Sequence, residues 1–318
     1  MTWKRLALSF LVLLLVGALA VHWRASMRER AAEAAFPPQG QLLMVSGLQV
    51  HAVVKGAGPD LVLIHGSSGN TRDCTLQLFD RLAQDYRVIA FDRPGLGWSD
   101  ALPRGAEGIH AQAAQLRAAA DKIGTDKPIV LGQSYGAAVA LAWALDAPDK
   151  TAAVVNVSGP SHPWPGPMSR YYRVISHPVG AALVVPLITA FVTPDRVSAE
   201  IASVFTPQAM PAGYADHIAA PLILRRSALR ANARQRAVLK REIIALEPRY
   251  VDFAVPLEIV HGDMDGLVDL TLHAQQMLQA TEQARLTALP GIGHMPHHVA
   301  QDAVIAAINR AAVRAGLR

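Results

Sequence analysis

The protein has 318 residues, of which 51% are hydrophobic and 17% are charged, and its formal net charge is +5. This apolar content excludes intrinsic disorder as the main state. The single cysteine, Cys74, excludes a disulfide framework and an all-cysteine metal site. Seven cations and no acids lie between Arg225 and Arg241, so the remaining chain sums to −2. Because the basicity is local, we expect no nucleic-acid partner.

The first predicted element is the uncharged run Leu6–Val21, which has cations on both sides. Sixteen helical residues cover about 24 Å, and extension to Trp23 reaches about 27 Å, slightly less than a bilayer core of about 30 Å. We therefore predict that residues 1–23 anchor the protein in a membrane. Because Ala18–Ala20 has an A-x-A pattern, a cleaved signal peptide and an exported enzyme stay open as the alternative. The flanking cations leave the membrane side open.

The rest of the chain predicts an α/β fold with a mostly parallel central sheet and flanking helices, because short apolar runs alternate with helical patterns. Residues 24–40 are predicted to be a linker. The predicted strands are Leu61–His65, Arg87–Phe91, Ile129–Leu131, Ala153–Val157, Leu257–His261 and Arg285–Leu289. The alternation stops at residues 161–248, which predicts a helical cap inserted between two parts of the core, residues 41–160 and 249–318.

A nucleophile motif follows the third of these strands. Gly132–Gly136 has the pattern G-x-S-x-G and lies between a predicted strand and a predicted helix, as a nucleophile elbow requires. Such a turn holds its serine, here Ser134, in a strained conformation, and its glycines let neighbouring backbone approach closely. The N–H groups at the start of the next helix point toward the same place.

A serine nucleophile needs a base and a group that orients the base. The candidate base is His294, which follows the last predicted strand, and the candidate acids are Asp263 and Asp265, which follow the strand before it. All three roles then fall at the carboxyl ends of strands, in the order Ser, Asp, His.

Five motifs together resemble the α/β-hydrolase superfamily. They are His65–Gly69, Asp92–Ser99, Gly132–Gly136, His261–Asp265 and Gly291–His294. The resemblance covers residues 41–318. It implies that Ser134 is the nucleophile, that His294 is the base and that Asp265, at the fourth position of a G-x-x-D pattern, is favoured over Asp263 as the acid. It also implies that the backbone N–H groups of Ser67 and Tyr135 form the oxyanion hole.

The resemblance implies an esterase-like or lipase-like hydrolase that needs no cofactor and acts on a small ester or a lipid-like acyl substrate. Trp164, Tyr171, Tyr172 and Phe191 of the predicted cap are expected to line an apolar pocket. Carbon–carbon bond hydrolysis and cofactor-free peroxidation on the same triad stay open, as does a non-catalytic membrane receptor. Ser134 argues against dehalogenases and epoxide hydrolases, which use an aspartate nucleophile. The oligomeric state is left open.

Three further features concern metal binding, thiol chemistry and surface charge. His294, His297 and His298 lack a neighbouring carboxylate in the sequence, so no metal site is predicted. Cys74 is expected to be a buried, inert thiol. The cations of Arg225–Arg241 project onto one half of a helix, which predicts either a solvated face or a contact with anionic headgroups or an acidic substrate.

Overall fold

The computed structural model describes residues 3–318 and contains a sheet of eight strands. The strands are β1 (Gln41–Val45), β2 (Leu48–Lys55), β3 (Asp60–Ile64), β4 (Arg87–Phe91), β5 (Ile129–Gln133), β6 (Ala153–Val157), β7 (Leu257–Gly262) and β8 (Ala284–Leu289). Their spatial order is β1-β2-β4-β3-β5-β6-β7-β8. The pairings β1–β2 and β2–β4 are antiparallel, and the other strand pairs are parallel.

Helices cover both faces of this sheet, so its central strands are buried on both sides. In β3, Val62 and Ile64 point toward one core cluster and Leu61 and Leu63 toward the other, which is the two-residue period of a strand. The first cluster includes α4 (Ile109–Lys122) and α5 (Tyr135–Asp146). The second includes α3 (Leu78–Leu82) and α14 (Gln301–Arg314). The short helices α2 (Thr71–Cys74), α12 (Gln276–Ala280) and α13 (Pro296–Val299) lie at strand ends.

The structure confirms the predicted fold class, and each of the six predicted strands is present within one or two residues. Strands β1 and β2 were not predicted. Strand β1 forms the edge of the sheet and is mostly exposed, and β2 is buried only in its middle. Neither strand therefore has the continuous apolar run of a strand that is buried on both faces.

Six α-helices lie between β6 and β7, followed by a short 3₁₀ helix (Glu247–Asp252), and the α-helices form the helical insertion. They are α6 (Arg170–Ser176), α7 (Pro178–Phe191), α8 (Pro194–Val204), α9 (Tyr214–His217), α10 (Ala220–Ile223) and α11 (Arg226–Leu246). Within residues 158–256 the structure contains no strand. These helices fall inside the interval predicted for a cap.

The N-terminal helix α1 runs without a break from Trp3 to Ala35, about 50 Å at 1.5 Å per residue. Residues 3–20 are exposed, whereas Ala25 and Ala32 are buried against the domain. The expected linker, residues 24–40, is therefore helical as far as Ala35. The reason is that this part of α1 has a docking face: Ala32 packs with Ala219 and Leu222 of the helical insertion.

Candidate active site

Ser134 occupies a sharp turn between β5 and α5. Its φ is 51° and its ψ is −122°, in the left-handed half of conformational space that non-glycine residues rarely adopt. Its own N–H donates to the carbonyl of Val157 at 2.9 Å, which ties the turn to the end of β6. The strained conformation expected of a nucleophile elbow is thus present at this serine.

The two glycines of the motif are explained by close backbone contacts. A Cβ atom on Gly132 would overlap the carbonyl of Gly136, and one on Gly136 would overlap the carbonyl of Ile64 at the end of β3. The absence of a side chain at Gly132 therefore lets the turn close on itself, and its absence at Gly136 lets the turn pack against the end of β3.

His294 and Asp265 are in direct contact. The Nδ1 atom of His294 lies 2.8 Å from Oδ2 of Asp265, while Oδ1 of Asp265 accepts the N–H groups of Leu267 and Val268, each at 2.9 Å. Burial opposes ionisation of Asp265, but hydrogen bonds from His261 and His294 outweigh it and lower the pKa of this carboxyl well below its usual value. The carboxylate is thus ionised and oriented toward His294.

Asp263 has a different role in the structure. It is exposed, and its Oδ1 atom accepts the N–H of Gly291 at 2.6 Å. It thereby joins the loop after β7 to the loop that carries His294. Of the two candidate acids, the structure brings only Asp265 to the imidazole ring of His294.

The loops that carry Ser134 and His294 are joined directly. The side chain of Gln133 donates from Nε2 to the carbonyl of His294 at 3.3 Å. Among the described residues, the hydroxyl of Ser134 makes no hydrogen bond, to His294 or to any other group. Hydrogen bonds between nucleophile and base are often long before substrate binds and tighten in the reacting complex.

The loop after β3 lies against the turn at Ser134. A Cβ atom on Gly66 would stand 3.1 Å from the Cβ atom of Ser134. Within residues 3–318, the backbone N–H groups of Ser67 and Tyr135 have no hydrogen-bond acceptor. The N–H of the next residue, Ser68, donates to Oδ1 of Asn232 on α11. Two free donors therefore remain beside the serine.

A buried arginine that the sequence did not single out supports this loop. Arg93 donates to the carbonyl groups of His65 and Gly66 at 3.0 and 2.9 Å, and its guanidinium lies 4.2 Å from the ring centroid of Tyr135. Burial lowers the pKa of Arg93 to about 10, so it remains a cation at neutral pH. The sequence feature that could have indicated a role for Arg93 is its position in the motif Asp92–Ser99.

His65, at the start of the same loop, is buried and neutral. Its Nδ1–H donates to the carbonyl of Gly66 at 2.9 Å, and its Nε2 accepts the N–H of Arg93 at 3.0 Å. Burial and the nearby Arg93 cation lower the pKa of His65 to about 4. The imidazole thus joins the ends of β3 and β4.

His297 and His298 meet a carboxylate that lies far away in the sequence. Both are buried on α13, and their Nε2 atoms lie 3.4 and 3.0 Å from the carboxyl oxygens of Asp73, which also accepts the hydroxyl of Tyr214 at 2.6 Å. Among the described residues these three have the composition of a metal site, with ligand atoms within 4.8 Å of one another. Hydrogen bonds from His298 and Tyr214 to Oδ1 of Asp73, together with the contact of His297 with the same carboxyl group, account for the arrangement. The cluster joins α2, the His294 loop and the helical insertion.

A small pocket lies between the loop after β3 and the helical insertion. It is lined by Ser68, Gly69, Asn70, Leu96, Gly97, Ile223, Ala228, Leu229 and Asn232. Of the aromatic residues expected at a pocket, only Tyr172 approaches it, through a 3.4 Å contact of its hydroxyl with Asn232. Tyr171 and Phe191 are exposed on the outside of the insertion because their helices turn these positions away from α11.

The cations in the first part of Arg225–Arg241 contact protein groups rather than forming a solvated stripe. Arg226 makes a bidentate pair with Glu29 of α1, and Arg225 pairs with Glu33 of α1. Arg234 pairs with Glu107, and Arg230 donates to the carbonyl of Ala181. The sequence predicted a solvated face or a contact with anionic headgroups or an acidic substrate. Both predictions are wrong for Arg225 and Arg226, because Glu33 and Glu29 of α1 cover them.

Comparison with known proteins agrees with this architecture. A family described as the alpha/beta hydrolase fold matches residues 59–301. An uncharacterised protein of Mycobacterium tuberculosis is 27% identical over 277 residues, which cover 82% of this chain and 77% of that protein. The protein belongs to the α/β-hydrolase family and is a hydrolase, as the five motifs indicated.

Two solved structures show the same fold at low sequence identity. A thermophilic esterase from Thermogutta terrifontis superposes with a TM-score of 0.68 at 19% identity, over 87% of this chain and 99% of the esterase. A bacterial membrane phospholipase A, described as a virulence factor, superposes with a TM-score of 0.63 at 19% identity, over 97% of this chain and 99% of that chain.

Proposed function

We propose that the protein is a serine hydrolase that cleaves carboxylic esters through an acyl-enzyme. The observation that carries this proposal is the contact of His294 with a buried, ionised Asp265 beside a serine in a strained strand-to-helix turn. In the first step, Ser134 Oγ attacks the carbonyl carbon of the ester while its proton passes to Nε2 of His294. Collapse of the tetrahedral intermediate expels the alcohol, which takes that proton from His294.

The second half-reaction restores the enzyme. His294 accepts a proton from water as the water oxygen attacks the acyl carbon, and the carboxylic acid leaves as Ser134 regains its proton. Asp265 holds the imidazole with Nδ1 protonated and stabilises the imidazolium that forms twice in each cycle. The N–H groups of Ser67 and Tyr135 are the proposed donors to the oxyanion, supported by their lack of other acceptors in the described chain.

We further propose that the helical insertion is a cap and that α1 anchors the enzyme in a membrane. Support for the anchor comes from the length and exposure of residues 3–20, since α1 is the one described helix long and apolar enough by itself to cross a bilayer. A signal peptide cut after Ala20 would leave residues 21–35 docked on the insertion, and that alternative predicts a soluble mature protein beginning at Val21.

A fluorophosphonate probe tests the nucleophile. The wild-type protein should be labelled and Ser134→Ala should not, whereas equal labelling of both would overturn the assignment and favour a non-catalytic receptor. A series of p-nitrophenyl esters of increasing chain length then tests the substrate class, because a defined acyl pocket imposes an optimum length. Fractionation tests the anchor: the full chain should remain with membranes in high salt and leave only with detergent.

A further inference from the structure

Helix α7 carries an apolar stripe on the outside of the helical insertion. Val179, Leu183, Leu187 and Phe191 follow one another at four-residue spacing, so they share one face of the helix. Their exposed fractions are 58%, 65%, 45% and 54%. The opposite face of α7 is packed, with Val185 fully buried. Large apolar side chains grouped in this way mark an interaction surface rather than an ordinary protein surface.

This stripe is continuous with the exposed part of α1. The side chain of Arg24, three residues beyond the end of the uncharged run at Val21, donates to the carbonyl of Ala190 at 2.8 Å. Its guanidinium also lies 5.4 Å from the ring centroid of Phe191. The C-terminal end of α7 therefore lies at the level where α1 leaves the folded domain.

The charges around the stripe fit an anionic surface. The segment from Ser161 to Pro194 contains Arg170 and Arg173 and no acidic residue. Helix α7 has 14 residues and covers about 21 Å, so it is too short to cross a bilayer. It meets α6 at a bend of 107°. An exposed apolar helix face with cations in the adjoining segment is typical of a helix that lies in the plane of a membrane interface.

Helix α11 separates this surface from the candidate active site. Leu229 lines the pocket beside Ser68, and the same side chain packs with Ile175 of α6 and Val185 of α7. The outer face of α7 is therefore separated from the loop next to Ser134 by the thickness of α7 and by α11.

We propose that the outer face of α7 lies in the headgroup region of the bilayer that holds α1, and that the substrate is an acyl ester lipid taken from that bilayer. The choice of substrate rests on the proposed function. The docking of α7 follows from the stripe, its place beside Arg24 and the absence of acids in the segment 161–194.

The docking is tested on the full-length protein in lipid vesicles. Cys74 is the one cysteine in the chain and is buried, so a fluorophore attached to Leu183→Cys labels a single site. The matched control is Val251→Cys, because Val251 is 80% exposed and lies beyond the far end of α11, about 30 Å along that helix from Arg226. The vesicles contain phosphatidylethanolamine, phosphatidylglycerol and a lipid with a quencher near its headgroup.

We expect quenching at residue 183 to be at least about five-fold stronger than at residue 251. Equal, weak quenching at both sites would overturn the proposal. Shielding of residue 183 from water without quenching by lipid would also overturn it and would assign the surface to a second copy of the chain.

A second variant separates docking from chemistry. Leu183→Asp combined with Leu187→Asp should reduce hydrolysis of a phospholipid in vesicles at least about five-fold and leave hydrolysis of a short, soluble p-nitrophenyl ester unchanged. Val251→Asp should change neither rate. An unchanged phospholipid rate in the double variant would overturn the lipid-substrate proposal. If the wild-type protein cleaves neither ester, the proposed function fails, while the quenching result still decides the docking.

Discussion

The carboxylate of Asp265 contacts Nδ1 of His294 at 2.8 Å with one oxygen and accepts two backbone N–H groups with the other oxygen. The carboxylate therefore cannot rotate away without breaking three hydrogen bonds. This arrangement fixes the protonated ring nitrogen as Nδ1 and leaves Nε2 for proton transfer.

Asp265→Asn is expected to lower kcat on an activated ester by about 10³ to 10⁴-fold, because the amide favours the wrong imidazole tautomer and does not stabilise the imidazolium. Asp263→Asn is the matched control, two residues away. It should lower kcat far less, because Asp263 contacts the N–H of Gly291 rather than His294. A larger effect at Asp263 would show that the acid is misassigned.

Ser134→Ala and His294→Ala should each reduce kcat by at least about 10³-fold while circular dichroism remains unchanged. The double variant should be little slower than either single variant, because nucleophile and base act as one unit. Steady-state rates on p-nitrophenyl esters measure this. Additive losses on a logarithmic scale would mean that the two residues do not act in the same step.

The ion pair of Arg226 and Glu29 should stabilise the contact between α1 and the helical insertion. Both side chains are mostly buried, and the contact is bidentate, so a double-mutant cycle with alanine should give a coupling free energy above about 1 kcal/mol. The exposed pair of Arg196 and Glu200 on α8 is the control, with a coupling of about 0.3–0.5 kcal/mol. Unfolding in detergent measures both cycles, and similar couplings would contradict the expectation.

The buried His65 should make the protein less stable in mild acid. Its pKa is about 4 in the folded state against 6.5 for an unperturbed histidine, so the unfolded state binds the proton first as pH falls below 6.5. The free energy of unfolding should fall between pH 6.5 and pH 4 by up to about 3 kcal/mol from this residue. His65→Gln should flatten the dependence of stability on pH in that range, measured by denaturant unfolding. An unchanged slope would mean that His65 is not buried as a neutral ring.

Local patterns predicted the parts of the structure that depend on neighbouring residues. The strands buried on both faces have continuous apolar runs, and the turn at Ser134 has two glycines that its backbone contacts require. The partners of the surface and interior charges could not be predicted in this way. Asp73 meets His297 and His298 across more than 220 positions, and Glu29 meets Arg226 across 197. No period or spacing in the sequence signals such a pair, because the fold alone brings its members together.

Helix α1 is continuous from its exposed half to the residues that dock at Ala25 and Ala32. It contains no proline, and its one glycine, Gly17, is helical. The exposed half and the docked half of α1 therefore rotate together about the helix axis. Adding one residue between Ala20 and Arg24 would turn the domain by 100° about the helix axis and raise it by only 1.5 Å. In the proposed membrane-anchored state, the number of residues in this short stretch thus sets the direction in which the pocket beside Ser68 faces, almost independently of its height above the bilayer.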